Sequence, residues 1–160
     1  MIWQLPDLAT TEGWAQELAQ CTPLPGVIYL QGELGAGKTA VARALIHALG
    51  YPAVVRSPTY TLVEEYATPS GTVLHFDLYR LAESEELEYI GIRDYLERPA
   101  LWLVEWPERA GDYLPAADLR LCLSILPSGA HRLEAVAQSV RAESWLRALT
   151  NVPQKQVGND

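Results

Sequence analysis

The sequence contains little cysteine and little lysine, and it has no long hydrophobic run. Cys21 and Cys122 are far apart and form no CxxC pair, so we expect two free thiols in a reducing compartment and not a disulfide scaffold. The three histidines have no zinc-ligand spacing. No apolar stretch approaches the roughly 20 residues that span a bilayer, and the first residues do not resemble a signal peptide. These features predict a cytoplasmic protein that does not bind membranes.

Basic residues are also scarce. Twelve Lys and Arg residues stand against 20 Asp and Glu, which gives a net charge of −8 and an isoelectric point near 4.8. Such a charge repels nucleic acid and anionic lipid, so a polyanion would have to bind at a local site. With 160 residues, 49% of them hydrophobic, the chain can build one domain with a substantial core. We predict one domain over residues 1–150, a polar and disordered tail over 151–160, and a monomer or weak oligomer.

The hydrophobic pattern predicts an α/β fold. Residues 27–30 and 101–104 are short apolar runs of the kind that form buried parallel strands. Enrichment in β-branched and aromatic residues predicts a hairpin over 60–66 and 72–76, and an alternating pattern predicts a second hairpin over 119–125 and 131–138. Helical spacing predicts helices over 11–20, with Thr10 or Thr11 as the cap, and over 84–97 and 142–149. An alanine-rich helix is also predicted from the end of segment 32–39 to about residue 49.

One stretch carries a specific chemical signal. Residues 32–39 read Gly-Glu-Leu-Gly-Ala-Gly-Lys-Thr, which fits the P-loop pattern GxxxxGK[ST] and lies between a predicted strand and a predicted helix. Glycines let the backbone turn so that its amides and the helix N-terminus face phosphates, while the lysine reaches the β- and γ-phosphates and the threonine hydroxyl binds Mg²⁺. The predicted nucleotide-binding residues of this loop are Gly32, Glu33, Leu34, Gly35, Ala36, Gly37, Lys38 and Thr39. The fold expected is a P-loop NTPase-like, three-layer α/β/α domain with a mixed sheet that includes antiparallel hairpins.

A P-loop enzyme needs a further acid near the magnesium ion, usually where a neighbouring strand ends. Two carboxylates qualify. Glu105 follows the apolar run 101–104, and Asp77 follows the run 73–76. Each is a candidate for the site, and the alternative for each is a solvated loop acid without a role.

Residues outside the P-loop narrow the choice of nucleotide and of reaction. Asparagine occurs only at Asn151 and Asn159, so the Asn-Lys-x-Asp motif that reads guanine is absent. The region after the first hairpin carries acids where small-molecule kinases normally have an arginine-rich lid. These observations favour ATP over GTP and hydrolysis over phosphoryl transfer. A small-molecule or nucleotide kinase, and a nucleotide-gated binding module, remain the alternatives.

Four segments together resemble one known family. They are the P-loop, residues 57–63 (SPTYTLV), residues 75–80 (HFDLYR) and residues 103–108 (LVEWPE). In order and spacing they are similar to the TsaE family, small ATPases of bacterial tRNA threonylcarbamoyladenosine (t6A) synthesis, over about residues 5–148. The resemblance implies ATP and Mg²⁺ as cofactors and weak hydrolysis by the isolated chain. It also implies that TsaD and TsaB are the partners, that tRNA is met indirectly through that complex, and that hydrolysis resets the complex between turnovers.

The resemblance also assigns roles to residues. Glu105 matches the acid that holds Mg²⁺ together with Thr39, Asp77 matches an acid beside the γ-phosphate, and Thr59 matches a switch-like threonine. Thr11 falls where the family places a residue near adenine, although Ala15 stands where glycine is commoner. Other residues nearby are left open: Trp106 as a partner contact, a lid or core packing, and Arg80 as an arginine finger or the partner of an acidic helix.

Overall fold

The structure is a computed structural model, and it describes residues 1–150; the predicted tail, 151–160, lies outside the described residues. Within residues 1–150 it has seven strands and five α-helices, with a 3₁₀ segment at Pro107–Tyr113. The elements in chain order are β1 (Ile2–Leu5), α1 (Leu8–Cys21), β2 (Gly26–Gly32), α2 (Lys38–Ala48), β3 (Val63–Thr68), β4 (Gly71–Asp77), α3 (Glu86–Tyr89), α4 (Ile92–Leu96), β5 (Leu101–Glu105), β6 (Leu119–Ile125), β7 (His131–Ala137) and α5 (Val140–Thr150).

All seven strands form one mixed sheet in the order β1-β7-β6-β2-β5-β4-β3. The four central strands β6, β2, β5 and β4 are parallel. Antiparallel partners extend the sheet at both sides, since β3 pairs with β4, β7 with β6, and β1 with β7. The predicted α/β fold with a mixed sheet and antiparallel hairpins is therefore confirmed.

Two hydrophobic clusters pack against the sheet and create three layers. One cluster joins α1, α2 and α5 to the sheet through buried residues such as Leu18, Leu45 and Trp145. The other joins α3, α4 and the 3₁₀ segment to the opposite face, where the rings of Phe76 and Trp102 stack at a centroid distance of 4.8 Å. Because both faces of the central strands are covered, β5 is buried along its whole length and reads as a continuous apolar run. Among residues 1–150 no helix combines the length and the apolarity needed to cross a bilayer.

Helix α1 begins earlier than predicted because its cap is Asp7. The Asp7 side chain accepts a hydrogen bond of 2.8 Å from the Thr10 amide, which satisfies one of the free donors of the first turn. This bond lowers the pKa of the Asp7 carboxyl. The prediction of Thr10 or Thr11 as the cap was wrong, since Thr11 already lies inside the helix and donates its hydroxyl hydrogen to the Asp7 carbonyl at 3.1 Å.

Three further boundaries differ from the prediction. The predicted helix over 84–97 is two short helices, because Gly91 between them has φ of +76° and interrupts the helical backbone. The first hairpin begins at Val63 and not at 60, since the Leu62 amide closes a turn onto the Pro58 carbonyl at 2.8 Å. Strand β1 was not predicted, because four residues are too few for a strand pattern to be read.

The buried parallel strands supply a test of the fold. Leu103 in the middle of β5 is 0% exposed, so Leu103→Ala is expected to lower the free energy of unfolding by about 2–5 kcal/mol through lost burial and a residual cavity. The same truncation at Leu96, which is 45% exposed, is the control and should cost much less. Urea denaturation followed by circular dichroism measures both. Equal losses for the two variants would contradict the assigned position of β5.

Candidate functional site

The P-loop lies where the parallel strand β2 turns into helix α2. Gly32, Gly35 and Gly37 all have positive φ, at +148°, +80° and +102°, a backbone region that L side chains rarely adopt. Position 32 also has no room for a side chain, since a Cβ there would lie 2.3 Å from the carbonyl oxygen of Leu123 on β6. The three glycines therefore allow the chain to turn tightly against the neighbouring strand and to begin α2 with its first amides free.

Lys38 is the first residue of α2, and its side chain folds back over the loop. Its Nζ donates to the carbonyl oxygens of Gly32 at 2.8 Å and Glu33 at 2.7 Å, and it lies 4.2 Å from the ring centroid of Trp106. The residue is only 5% exposed. Burial lowers the pKa of the Lys38 ammonium, and nearby carboxylates, Glu105 first among them, oppose that shift. The only lysine of residues 1–150 is thus held at the centre of the loop.

Glu105 at the end of β5 is the most enclosed acid of the site, at 1% exposed. Its Oε1 accepts a hydrogen bond from the Thr39 hydroxyl at 2.7 Å, and its Oε2 lies 2.8 Å from Nε2 of the fully buried His75. Because an ionised carboxylate only accepts hydrogen bonds, Nε2 of His75 carries the hydrogen. Both oxygens of Glu105 are therefore fixed, one by α2 and one by β4.

Asp77 at the end of β4 is the second acid, and it pairs in register with Glu105 on β5. Its Oδ2 accepts a hydrogen bond from the Thr59 hydroxyl at 3.1 Å, and its Oδ1 accepts one from the Tyr79 amide at 3.1 Å. The Thr59 hydroxyl is also 2.7 Å from the hydroxyl of Ser57. The segment before β3 is thus tied to the end of β4 through a threonine and an acid.

Two clefts meet at the loop. We call the one that charged and hydroxyl-bearing side chains line the polar cleft, with a volume of about 410 Å³. The other, lined mainly by aliphatic side chains, is the apolar cleft, with a volume of about 270 Å³. Gly37 and Ala40 line both. The polar cleft is further lined by Leu34, Gly35, Lys38, Thr39, Thr59, Asp77, Tyr79, Arg80, Glu105 and Trp106. The apolar cleft is further lined by Leu5, Pro6, Asp7, Leu8, Thr11, Ala36, Val41, Leu123, Gly129 and His131. One elongated ligand with an apolar end and an anionic end could occupy both.

Aromatic and basic side chains surround the mouth of the polar cleft. Trp106 has φ of +57° and ψ of +48°, which is unusual for a large side chain, and this backbone directs its ring over Lys38. Tyr79 packs against Trp106 at a centroid distance of 5.0 Å. Arg80 lies over the ring of Tyr60 at 4.6 Å, and Arg109 lies over the ring of Tyr79 at 5.3 Å. Trp106 is therefore part of the site, and Arg80 is paired with Tyr60 and not with the acidic helices.

The structure gathers nearly all of the predicted site residues at these clefts. Lys38, Thr39, Thr59, Asp77 and Glu105 line the polar cleft together. Thr11 lies apart from them in the apolar cleft. Gly32 and Glu33 line neither cleft, and they contribute carbonyl oxygens to Lys38.

Two residues of the site were not predicted. His75 stands two positions before Asp77 on β4, and the two-residue period of a strand places both on one face, which is a signal that could have been read. His131 lies on β7 and touches the loop through Ala36 at 2.7 Å. No pattern in the sequence connects the two, since 95 positions separate them.

The donor set suits a nucleotide with magnesium. Free amides at the start of a helix and a buried ammonium favour a chain of phosphates. The hydroxyl of Thr39 and the carboxylate of Glu105 converge to 2.7 Å, and hard oxygen ligands of this kind, completed by phosphate oxygens and water, are those that Mg²⁺ prefers. ATP and Mg²⁺ therefore fit the residues that are present.

A mixed sheet with a parallel centre, a glycine loop leading into a helix, and acids at the ends of neighbouring strands together define a P-loop α/β domain. Residues 5–132 match the family model described as "Threonylcarbamoyl adenosine biosynthesis protein TsaE". The chain belongs to the TsaE family.

Individual relatives agree with this assignment. A protein of Haemophilus influenzae named tRNA threonylcarbamoyladenosine biosynthesis protein TsaE is 42% identical over 125 residues, which are 78% of each chain. The protein of the same name from Synechocystis is 44% identical over 66% of this chain and 69% of its own length. The crystal structure of Bacillus subtilis YdiB superposes with a TM-score of 0.77 at 25% identity and covers 94% of both chains.

The close approach at Gly32 gives a test of the loop. Gly32→Ala is expected to destabilise the protein by about 1–3 kcal/mol or more, because the added carbon meets a backbone oxygen and the residue has positive φ. Gly13→Ala is the control. Gly13 lies in α1 with no atom within 4 Å of an added Cβ, so that variant should be stabilised by about 0.5–1 kcal/mol. Thermal unfolding decides, and a Gly32→Ala variant as stable as the unaltered protein would contradict the described loop.

Proposed function

We propose that the protein is the ATP-binding and ATP-hydrolysing subunit of tRNA t6A synthesis. One observation carries this proposal: a buried ammonium, a hydroxyl and two acids line a single cleft beside the P-loop. Membership of the TsaE family supports the pathway, since the relatives described above are named for tRNA threonylcarbamoyladenosine biosynthesis. The site supports the chemistry, and the family supports the process that the chemistry serves.

In this proposal the two clefts divide the ligand between them. The apolar cleft takes the adenine, and Thr11 lies among its buried walls. The loop amides and the ammonium of Lys38 take the phosphates, for which Lys38 leaves the carbonyl oxygens of Gly32 and Glu33. Phosphoryl transfer asks a protein mainly for positioning and for stabilisation of charge, and these residues supply both.

The two acids have different roles. Thr39 and Glu105 would hold Mg²⁺, which supplies charge neutralisation on the phosphates when it is bound. His75 keeps the carboxylate of Glu105 in place through its bond to Oε2. Asp77 lies beside Glu105 on the neighbouring strand and is fixed by Thr59 and Tyr79; it orients the attacking water and accepts its proton. The water oxygen bonds to the terminal phosphorus while the bond from that phosphorus to the bridging oxygen breaks, and ADP and inorganic phosphate leave.

Hydrolysis by the isolated chain is expected to be slow. Arg80 lines the polar cleft, but its guanidinium lies over the ring of Tyr60 and not beside Lys38. A partner that moves Arg80 or supplies its own arginine would accelerate the reaction. We propose TsaD and TsaB as those partners, as the resemblance to the family implies, with hydrolysis resetting their complex between rounds of transfer to tRNA. The chain would meet tRNA only through the complex, in keeping with its net charge of −8.

Lys38 provides the direct test. Lys38→Ala is expected to lower ATP hydrolysis about 100-fold or more, because the charge that stabilises the transferring phosphoryl group is lost. It should also stop t6A formation after the first turnover in a reconstituted assay with TsaD and TsaB. Lys155→Ala removes the other lysine of the chain and is the control, with no change expected. Multiple-turnover t6A synthesis by Lys38→Ala at the unaltered rate would refute the proposal, and phosphate transfer to an acceptor faster than hydrolysis would indicate a kinase.

The two acids can be separated by a matched pair of amide variants. Glu105→Gln is expected to raise the Mg²⁺ concentration required for tight ATP binding, because a charged ligand of the ion is lost. Asp77→Asn is expected to keep ATP affinity and to lower kcat by about 100-fold, the range observed for loss of a general base. Titration calorimetry at several Mg²⁺ concentrations, together with steady-state hydrolysis, measures both effects. If the two variants show the same loss in both assays, the division of roles is wrong.

A further inference from the structure

The P-loop receives a contact from outside the P-loop motif. His131 is the first residue of β7, and β7 is separated from the P-loop strand β2 by β6. Its Nδ1 lies 2.7 Å from the carbonyl oxygen of Ala36, the residue before the last glycine of the loop. A carbonyl oxygen only accepts hydrogen bonds, so Nδ1 carries the hydrogen and donates it.

This bond fixes the orientation of one peptide unit. The peptide between Ala36 and Gly37 is planar and trans, so its carbonyl and its amide point in opposite directions. With the carbonyl of Ala36 bound to His131, the amide of Gly37 must face away from β7. On the other side of Ala36, its own amide donates to the Glu33 carbonyl at 3.1 Å.

The hydrogen bond from His131 matters for the loop conformation because the next residue, Gly37, is a glycine. Gly37 has φ of +102° and no Cβ, so rotation of the preceding peptide meets little steric resistance. Ala36 is fully buried, and a buried carbonyl left without a donor is unfavourable. His131 therefore opposes a rotation that glycine would otherwise permit.

The same imidazole is part of the apolar cleft. His131 lines that cleft together with Thr11 and Leu123, and a Cβ added to Gly37 would lie 3.3 Å from its Nδ1. The ring thus lies beside Gly37, which lines both the apolar and the polar cleft. One side chain from the β6–β7 hairpin thus lines the apolar cleft and also contacts the P-loop.

We propose that His131 is a positioning residue of the phosphate site, which holds the Ala36 carbonyl outward so that the Gly37 amide faces the phosphates. The inference rests on the proposed nucleotide binding and extends it to a residue outside the P-loop motif. The imidazole also closes one wall of the cleft assigned to the base. Loss of its hydrogen bond lowers the affinity for phosphates, and loss of its ring lowers the affinity for the base.

Two substitutions separate these effects. His131→Asn places an amide donor near the position of Nδ1 and removes the ring, whereas His131→Leu keeps the bulk and removes the donor. Binding of ADP and of inorganic tripolyphosphate, both with Mg²⁺, is measured by titration calorimetry. We expect His131→Leu to bind tripolyphosphate about five- to tenfold more weakly, the loss that one hydrogen bond accounts for. His131→Asn should bind tripolyphosphate within about twofold of the unaltered protein and ADP more weakly.

The outcomes distinguish this inference from the function on which it rests. If the unaltered protein binds both ligands and His131→Leu binds tripolyphosphate equally well, the positioning role is refuted and the proposed function stands. Equal losses for the Asn and Leu variants also refute it, because a merely structural role would not be rescued by the amide. If the unaltered protein binds neither ligand, both proposals fall.

Thermal unfolding of each variant serves as the control for folding and stability. If His131→Leu does not fold, His131→Gln replaces it, since its amide lies one atom further from the backbone and misses the Nδ1 position. Gln weaker than Asn toward tripolyphosphate then supports the inference, and Gln equal to Asn overturns it.

Discussion

The carboxylate of Glu105 is the group on which the rest of the site depends. It is almost fully buried, and an ionised acid in such a position is costly unless both oxygens have partners. Thr39 and His75 supply those partners at 2.7 and 2.8 Å. The two bonds connect helix α2, strand β4 and strand β5 at one point. The burial of Glu105 therefore depends on both Thr39 and His75, and the three side chains form one hydrogen-bonded unit.

The parallel strands explain why distant residues meet there. In such a sheet the carboxyl ends of neighbouring strands lie at one edge, and ligand sites form beyond that edge. Strand β2 ends in the loop at Gly32, β5 ends at Glu105, and β4 ends at Asp77 in register with Glu105. The antiparallel strands at either side of the parallel strands bring two further residues to the site. The segment before β3 brings Thr59, and β7 brings His131.

Local patterns were sufficient to predict much of this arrangement. The run 101–104 and its terminal Glu105 predicted a buried strand ending in an acid, because continuous apolar sequence in a short segment requires burial on both faces. The glycine pattern of the loop predicted its turn, since positive φ leaves little choice of residue. The hairpin ranges were predicted to within a few residues, because residue enrichment and alternation are both local properties of a strand.

Two local signals were missed, and one contact is contained in no local pattern. Asp7 was missed as the cap although Asp ranks above Thr at this position. The break at Gly91 was missed although glycine is a poor helix former and has φ of +76° there. The contact of His131 with Ala36 depends on the pairing of β6 with β7 and on the position of β6 beside β2. Sheet order is a global property, and it was beyond the reach of sequence periodicity.

The position of Lys38 has a consequence for how long a ligand stays. Its ammonium already has two carbonyl oxygens and an indole face as partners, so an arriving phosphate must compete with them, and a departing one is replaced by them at once. The net gain on binding is the difference between two satisfied states and not the full attraction of a bare cation. Under the proposed function, such a loop would bind phosphates less tightly than one whose ammonium has no other partners.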